Sequence, residues 1–314
     1  MLTTHLPGTD IDEVALARYI GEQIFAVPGL TRPREAFTLL LTGSRALGLH
    51  TPASDVDIDV LCPQAVYDEV HAAALAAGLI TGQRGFFCAL AGEACHRYFG
   101  AEAACPHFSL TPLERVARQF RNFEDVPLWI WTHARVITDP GAQFAQLRDT
   151  FRGYPREVLV RKLKYRWLSA LYAGIDIFPQ HPHGDADLLP AALALATTVA
   201  ELQRVFLLAE GKPFPYPERL SRFADATALG QTFGPLLQHV TALLTGHISP
   251  DVPAWTRLQE AQARLMSTDL YPETAALHAA CATALIAAGV DPAWMAADYD
   301  NIDELLWGEL GPAP

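Results

Sequence analysis

The sequence predicts an α+β chain: a mixed sheet with flanking helices over residues 1–141, followed by an all-helical domain over residues 142–314. Three observations lead there. Residues 36–41, A-F-T-L-L-L, form a short unbroken apolar run that suits a buried strand. Residues 55–62, D-V-D-I-D-V-L-C, alternate acid and aliphatic, so period two turns Val56, Ile58 and Val60 one way and Asp55, Asp57 and Asp59 the other. Past the turn Thr138-Asp139-Pro140-Gly141, helical periodicity and Ala/Leu-rich composition replace strand patterns.

Each element follows in order. Residues 10–26 carry apolar side chains at helical spacing (Val14, Leu16, Ile20, Ile24, Phe25) and stop before Pro28-Gly29. The apolar strand halts at Gly43. A loop with Gly48, Pro52 and Ser54 leads to the acidic strand, and a helix over 63–77 has proline in its first turn. Short strands are predicted at 84–90, 94–100 and 107–111, a helix at 113–120, and a further strand within the β-forming stretch 128–137. Helices are predicted over 144–151, 156–173, 187–210, 235–244, 255–266 and 273–288.

Half of the residues are hydrophobic and 18% are charged, enough apolar material for a folded core rather than a disordered chain. The net charge of −12 argues against a broad basic surface for duplex nucleic acid and tolerates a small cationic substrate. Five cysteines without a C-x-x-C pair point away from a disulfide frame or zinc site and towards a reducing compartment. The N-terminal residues lack a basic region followed by an apolar one, and no apolar run reaches membrane-spanning length, so a cytoplasmic location is expected.

Three carboxylates on one strand face repel one another, and desolvating them without partners is costly. A hard divalent cation such as magnesium removes that penalty, which makes Asp55, Asp57 and Asp59 candidate metal ligands. A calcium loop is ruled out, because Val60 stands where its turn needs glycine. The plainer alternative is an acidic edge strand that deters aggregation. Upstream, Gly43-Ser44 follows the apolar strand and opens a short helix, where backbone N–H groups meet phosphate oxygens. Gly43, Ser44 and the adjoining Arg45 are therefore candidate nucleotide-binding residues.

Residues 41–60, L-T-G-S-R-A-L-G-L-H-T-P-A-S-D-V-D-I-D-V, resemble the signature of the polymerase-β-like nucleotidyltransferase superfamily. The likeness is to its minimal and aminoglycoside-modifying branches, through Gly43, Ser44, Ala46, Gly48, Ser54, Asp55 and Asp57. It implies a nucleotidyltransferase-like mixed sheet, with a helical substrate-binding domain after it. It also implies transfer of AMP from ATP to a hydroxyl acceptor, with Mg2+ on Asp55 and Asp57 and the β and γ phosphates on Ser44 and its neighbours.

Such families add a third carboxylate from a later strand. Here that position falls on His107, which serves either as catalytic base or as an ordinary strand-end residue; Asp59, Glu93 and Glu102 are the other candidates. Lys162, in the R-K-x-K-x-R run, is a candidate to reach the triphosphate, against a solvated helix face as the plain reading; Lys212 is similar. The segment 206–216 resembles a helix-to-loop element in members of this group, Trp129 and Trp131 read as core or domain contacts, and the H-P-H-G-D-A-D segment at 181–187 reads as loop and helix cap. An acidic run of Asp298, Asp300 and Asp303 reads as solvated. Three functions remain open: modification of an aminoglycoside-like small molecule, AMP transfer to a protein or tRNA end as in toxin–antitoxin pairs, and nucleotide binding without catalysis.

Overall fold

The computed structural model describes residues 9–30, 36–80, 86–89, 96–99, 106–175 and 188–244. The features expected at 181–187, 255–266 and 273–288, together with Glu93, Glu102, Asp298, Asp300 and Asp303, lie outside the described residues. Helix α1 (Glu13–Tyr19) begins where Asp12 accepts the backbone N–H groups of Val14 at 2.8 Å and Ala15 at 3.2 Å. Losing such a cap costs about 1 kcal/mol. The helix runs on into a π-turn (Ile20–Ile24) and buries Leu16, Tyr19, Ile20 and Ile24 against the sheet.

Five strands form one mixed sheet: β1 (Thr38–Leu41), β2 (Val56–Cys62), β3 (Phe86–Ala89), β4 (Pro106–Pro112) and β5 (Arg135–Thr138), in the order β3-β4-β2-β1-β5. β2 and β4 are parallel, and the other pairs are antiparallel. Every residue of β1 is buried, as its unbroken apolar run predicts for a strand covered on both faces. Leu39 and Leu41 join Val56, Ile58 and Val60 in the core beneath α1 and α3, whereas Leu40 joins Leu61 in a second core on the opposite face. The alternation read from residues 56–60 is therefore the real division of the sheet into two faces.

Helices α2 (Gly43–Ala46), α3 (Gln64–Ala76), α4 (His96–Phe99), α5 (Leu113–Arg121) and α6 (Asp125–His133) connect the strands. Two expectations are corrected here. Residues 96–99 are helical, not part of a strand, and most of the stretch 128–137 belongs to α6, with only Arg135 onward forming β5. Helical turns put Leu128 and Trp131 together in the second core beside Phe120 and Phe144, and this burial overrides strand propensity. Pro127 sits in the first turn of α6, where its missing N–H costs no helix bond.

Beyond Thr138 the described residues form only helices: α7 (Gln143–Thr150), α8 (Arg156–Ile175), α9 (Leu188–Ala209), α10 (Pro217–Ala224) and α11 (Ala228–Leu244). α10 was not expected, and α11 starts earlier than predicted and runs through Pro235. Asp139 couples the two patterns. It accepts from Thr38 Oγ1 of β1 at 2.8 Å and from the Ala145 N–H of α7 at 2.9 Å. Phe206, Leu208, Phe214 and Leu220 build a third core among the later helices. Among the described residues, no helix is long and apolar enough to cross a membrane.

Candidate active site

Asp57 and Asp59 stand on the sheet face that carries Leu61 and looks towards α6. β4 runs beside them in register, pairing His107 with Asp57 and Ser109 with Asp59. On the other side β1 ends at Leu41, and the Thr42 N–H donates to the Asp57 carbonyl at 3.0 Å. Gly43 follows with φ +66, a left-handed conformation in which side chains are strained. A Cβ at this position would lie 2.7 Å from the Asp57 carboxylate carbon and closer still to Oδ2. The glycine bend and the Asp57 carboxylate are thus packed directly together.

The three aspartates have different surroundings. Asp57 pairs with Nε2 of His107. Asp55 precedes the strand in a largely open position, yet loss of hydration pushes its carboxyl pKa up, and Asp57 adds to the rise while His107 and Arg45 oppose it. Asp59 accepts from Thr42 Oγ1 at 2.8 Å and from the Ser109 hydroxyl, so both its oxygens are engaged by the strand neighbours. Among the described residues, no three His, Cys, Asp or Glu side chains converge as a metal site. Of the three expected metal ligands, Asp59 is thus engaged by hydroxyls, and Asp55 and Asp57 are the pair that could hold a metal. That pair suits magnesium, which takes one or two carboxylates and completes its shell with water and phosphate oxygens.

Two of the expected nucleotide-binding residues have partners within the protein. Arg45 is buried, and its guanidinium donates to the carbonyls of Pro52, Ser54 and Asp55, the last from Nε at 3.1 Å. It therefore ties the loop before β2 to α2. Lys162, 2% exposed, pairs with Asp125 of α6 at 2.6 Å, and the Tyr154 hydroxyl donates to the same carboxylate. A buried cation needs such a partner, which keeps Lys162 with Asp125. Lys212 bonds Glu210 at 2.6 Å. Ser44 is buried within α2, whose Ala46 carbonyl accepts from Arg135 Nε at 2.6 Å.

A cleft of about 220 Å³ opens in front of the carboxylates. Thr42, Gly43, Asp57 and Asp59 line one side, and Trp129, Ile130, His133 and Tyr216 line the other. Trp129 packs edge-on against Tyr216 (5.6 Å between centroids) and Phe223 (5.0 Å), with the His133 ring at 4.9 Å. Tyr216 arrives on the loop after α9. Upstream of it Phe214 is buried between the guanidinium groups of Arg166 and Arg204, 5.0 and 5.5 Å from its ring centre, and both arginines also pair with Glu201. Sequence reasoning missed this second wall as well as Thr42 and Ser109. Its only traces were the singled-out segment 206–216 and the W-I-W of residues 129–131.

Comparison with known proteins gives a family match over part of the chain. Residues 34–84 match the family model described as a nucleotidyltransferase domain, a span that includes Gly43, Asp55, Asp57 and all of β2. No curated protein matches the chain. Among solved structures, a nucleotidyltransferase-like protein from Exiguobacterium sibiricum is similar at 9% identity and a TM-score of 0.40, covering 74% of this chain and 72% of that one. Residues 34–84, with the glycine bend and the acidic strand, are thus similar to a nucleotidyltransferase domain.

Proposed function

We propose that the chain is a magnesium-dependent nucleotidyltransferase that moves AMP from ATP to a hydroxyl of a small cationic acceptor of aminoglycoside-like chemistry. The observation that supports this is the packing of the Asp57 carboxylate against the Gly43 bend, a turn of the kind whose backbone N–H groups can bind phosphate. In this reading Gly43 and Ser44 hold the β and γ phosphates, Asp55 and Asp57 hold the metal, and residues 142–314 form the substrate-binding domain. Magnesium, when bound, supplies charge neutralisation for the triphosphate. The acceptor oxygen forms a bond to the α-phosphorus, the bond to the bridging oxygen breaks, and pyrophosphate departs with that electron pair. The hydroxyl proton passes to a base.

The test is incubation of the full chain with α-labelled ATP, magnesium and a panel of amino sugars, polyols, protein and tRNA ends. Label should move to a small acceptor, and Asp57→Asn should slow it by about a thousandfold, in keeping with loss of a charge-stabilising group. Equal transfer by both proteins sinks the reading, and label on a protein or tRNA end replaces the acceptor class. One observation favours a second reading, a module that binds nucleotide without turnover. His107, at the position of the third carboxylate, bonds Asp57. That reading predicts Asp57-dependent ATP binding with no transferred label.

A further inference from the structure

The transferase reading leaves the acceptor's proton without a destination. Asp59 is held by two hydroxyls, and His107 has its Nε2 on Asp57. Two other titratable side chains among the described residues line the same cleft, the Tyr216 phenol and, at the end of α6, His133, whose imidazole is the base of the two. Its Nδ1 lies 2.7 Å from the Trp129 carbonyl, four residues earlier. A carbonyl only accepts, so Nδ1 carries the proton, and the neutral ring keeps its lone pair on Nε2. The ring is fixed by its neighbours, with Trp129 at 4.9 Å and Phe223 edge-on at 5.8 Å, while His133 itself is exposed. An imidazole in a single tautomer, held by a backbone carbonyl and packed rings, is arranged as a proton acceptor.

We propose that His133 is the general base of the reaction, and that the cleft between it and Asp57 is where the acceptor's reacting ring binds. This rests on the transferase reading above. Nε2 takes the proton from the acceptor hydroxyl as that oxygen bonds the α-phosphorus and pyrophosphate leaves, and the imidazolium then returns the proton to water. Two observations define the ligand. The indole N–H of Trp129, 3% exposed on a ring lining the cleft, has no hydrogen-bond partner among the described residues, a state that buried donors rarely keep without a ligand. The space of about 220 Å³ lies below the roughly 300–1,000 Å³ of pockets for drug-sized molecules, so it takes one sugar-sized ring at a time.

The experiment has two arms, both on the full chain. Nitrogen NMR of 15N-histidine protein, with His133 assigned by its loss in His133→Gln, should show the Nδ1–H tautomer; an Nε2–H tautomer overturns the proposal. In the transfer assay, with water as acceptor where no panel member takes the label, His133→Gln and His133→Ala should lower kcat by about 10²–10⁴-fold. The Kd for magnesium with a non-hydrolysable ATP analogue should stay within about twofold of wild type in both. Added imidazole should restore part of the His133→Ala rate, which a purely structural role does not allow. Wild-type rates in both variants overturn the role of His133 and leave the transferase reading standing. Asp57-dependent nucleotide binding with no transfer by the wild type overturns both.

Discussion

Gly43 and Asp57 occupy one another's space: the carboxylate lies where a glycine side chain would begin, at a backbone φ of +66. Gly43→Ala therefore adds strain of about 1 kcal/mol and pushes Asp57 off its position. Magnesium–nucleotide affinity should fall at least about tenfold by calorimetry, a factor equal to 1.4 kcal/mol, while far-UV circular dichroism stays that of a folded chain. Retained affinity would mean that the packing of these two residues is incidental.

Asp55 is held above its ordinary pKa by lost hydration and by Asp57. The folded state therefore binds that proton more tightly than the unfolded chain does. The stabilisation is present in acid and is lost as pH rises through and above the ordinary carboxylate range. Without divalent cations, Asp55→Asn should melt at a higher temperature than wild type at neutral pH, and the gap should close below about pH 4. Magnesium with nucleotide should raise the wild-type midpoint and leave the variant unmoved.

Arg45 reaches the carbonyls of Pro52, Ser54 and Asp55 with one planar fork. A lysine cannot reproduce that geometry. Arg45→Lys should cost about 1–2 kcal/mol in urea unfolding, because these part-buried carbonyls lose charge-assisted bonds. Nucleotide affinity should fall with it, as Asp55 begins where the loop ends.

The Lys162–Asp125 pair is buried on both sides, at 3% exposure for each side chain. Removing one partner strands a charge, so Lys162→Met should destabilise by about 3–5 kcal/mol. Combining it with Asp125→Leu should recover at least about half of that, since replacing a whole buried pair by apolar groups is nearly neutral. Nucleotide affinity of the folded single variant should equal that of wild type. A large loss confined to affinity would return Lys162 to the triphosphate.

The sheet was legible where residue pattern and burial agree. The unbroken run of β1 and the alternation of β2 each record which faces are covered, and the Gly43 and Asp57 spacing reports a local bend. Residues 128–137 misled because Trp, Ile and Val favour strands until Leu128 and Trp131 find a common core, a contact with no local signature. The roles of Arg45 and Lys162 were hidden for a related reason. Their partners are backbone carbonyls and an aspartate 37 residues away, visible only once the chain has closed. The aromatic wall was hidden for the same reason, being assembled from α6 and a loop more than eighty positions later.

That loop is anchored from behind, with Phe214 gripped by Arg166 and Arg204 while Tyr216 reaches the cleft. The residue that shapes the chamber is thus separable from the residues that secure its support. Exchanging Tyr216 for a smaller or more polar side chain would redraw the outline offered to the incoming molecule, with the phosphate-handling side untouched. The architecture lends itself to acquiring new clients through single changes at one point.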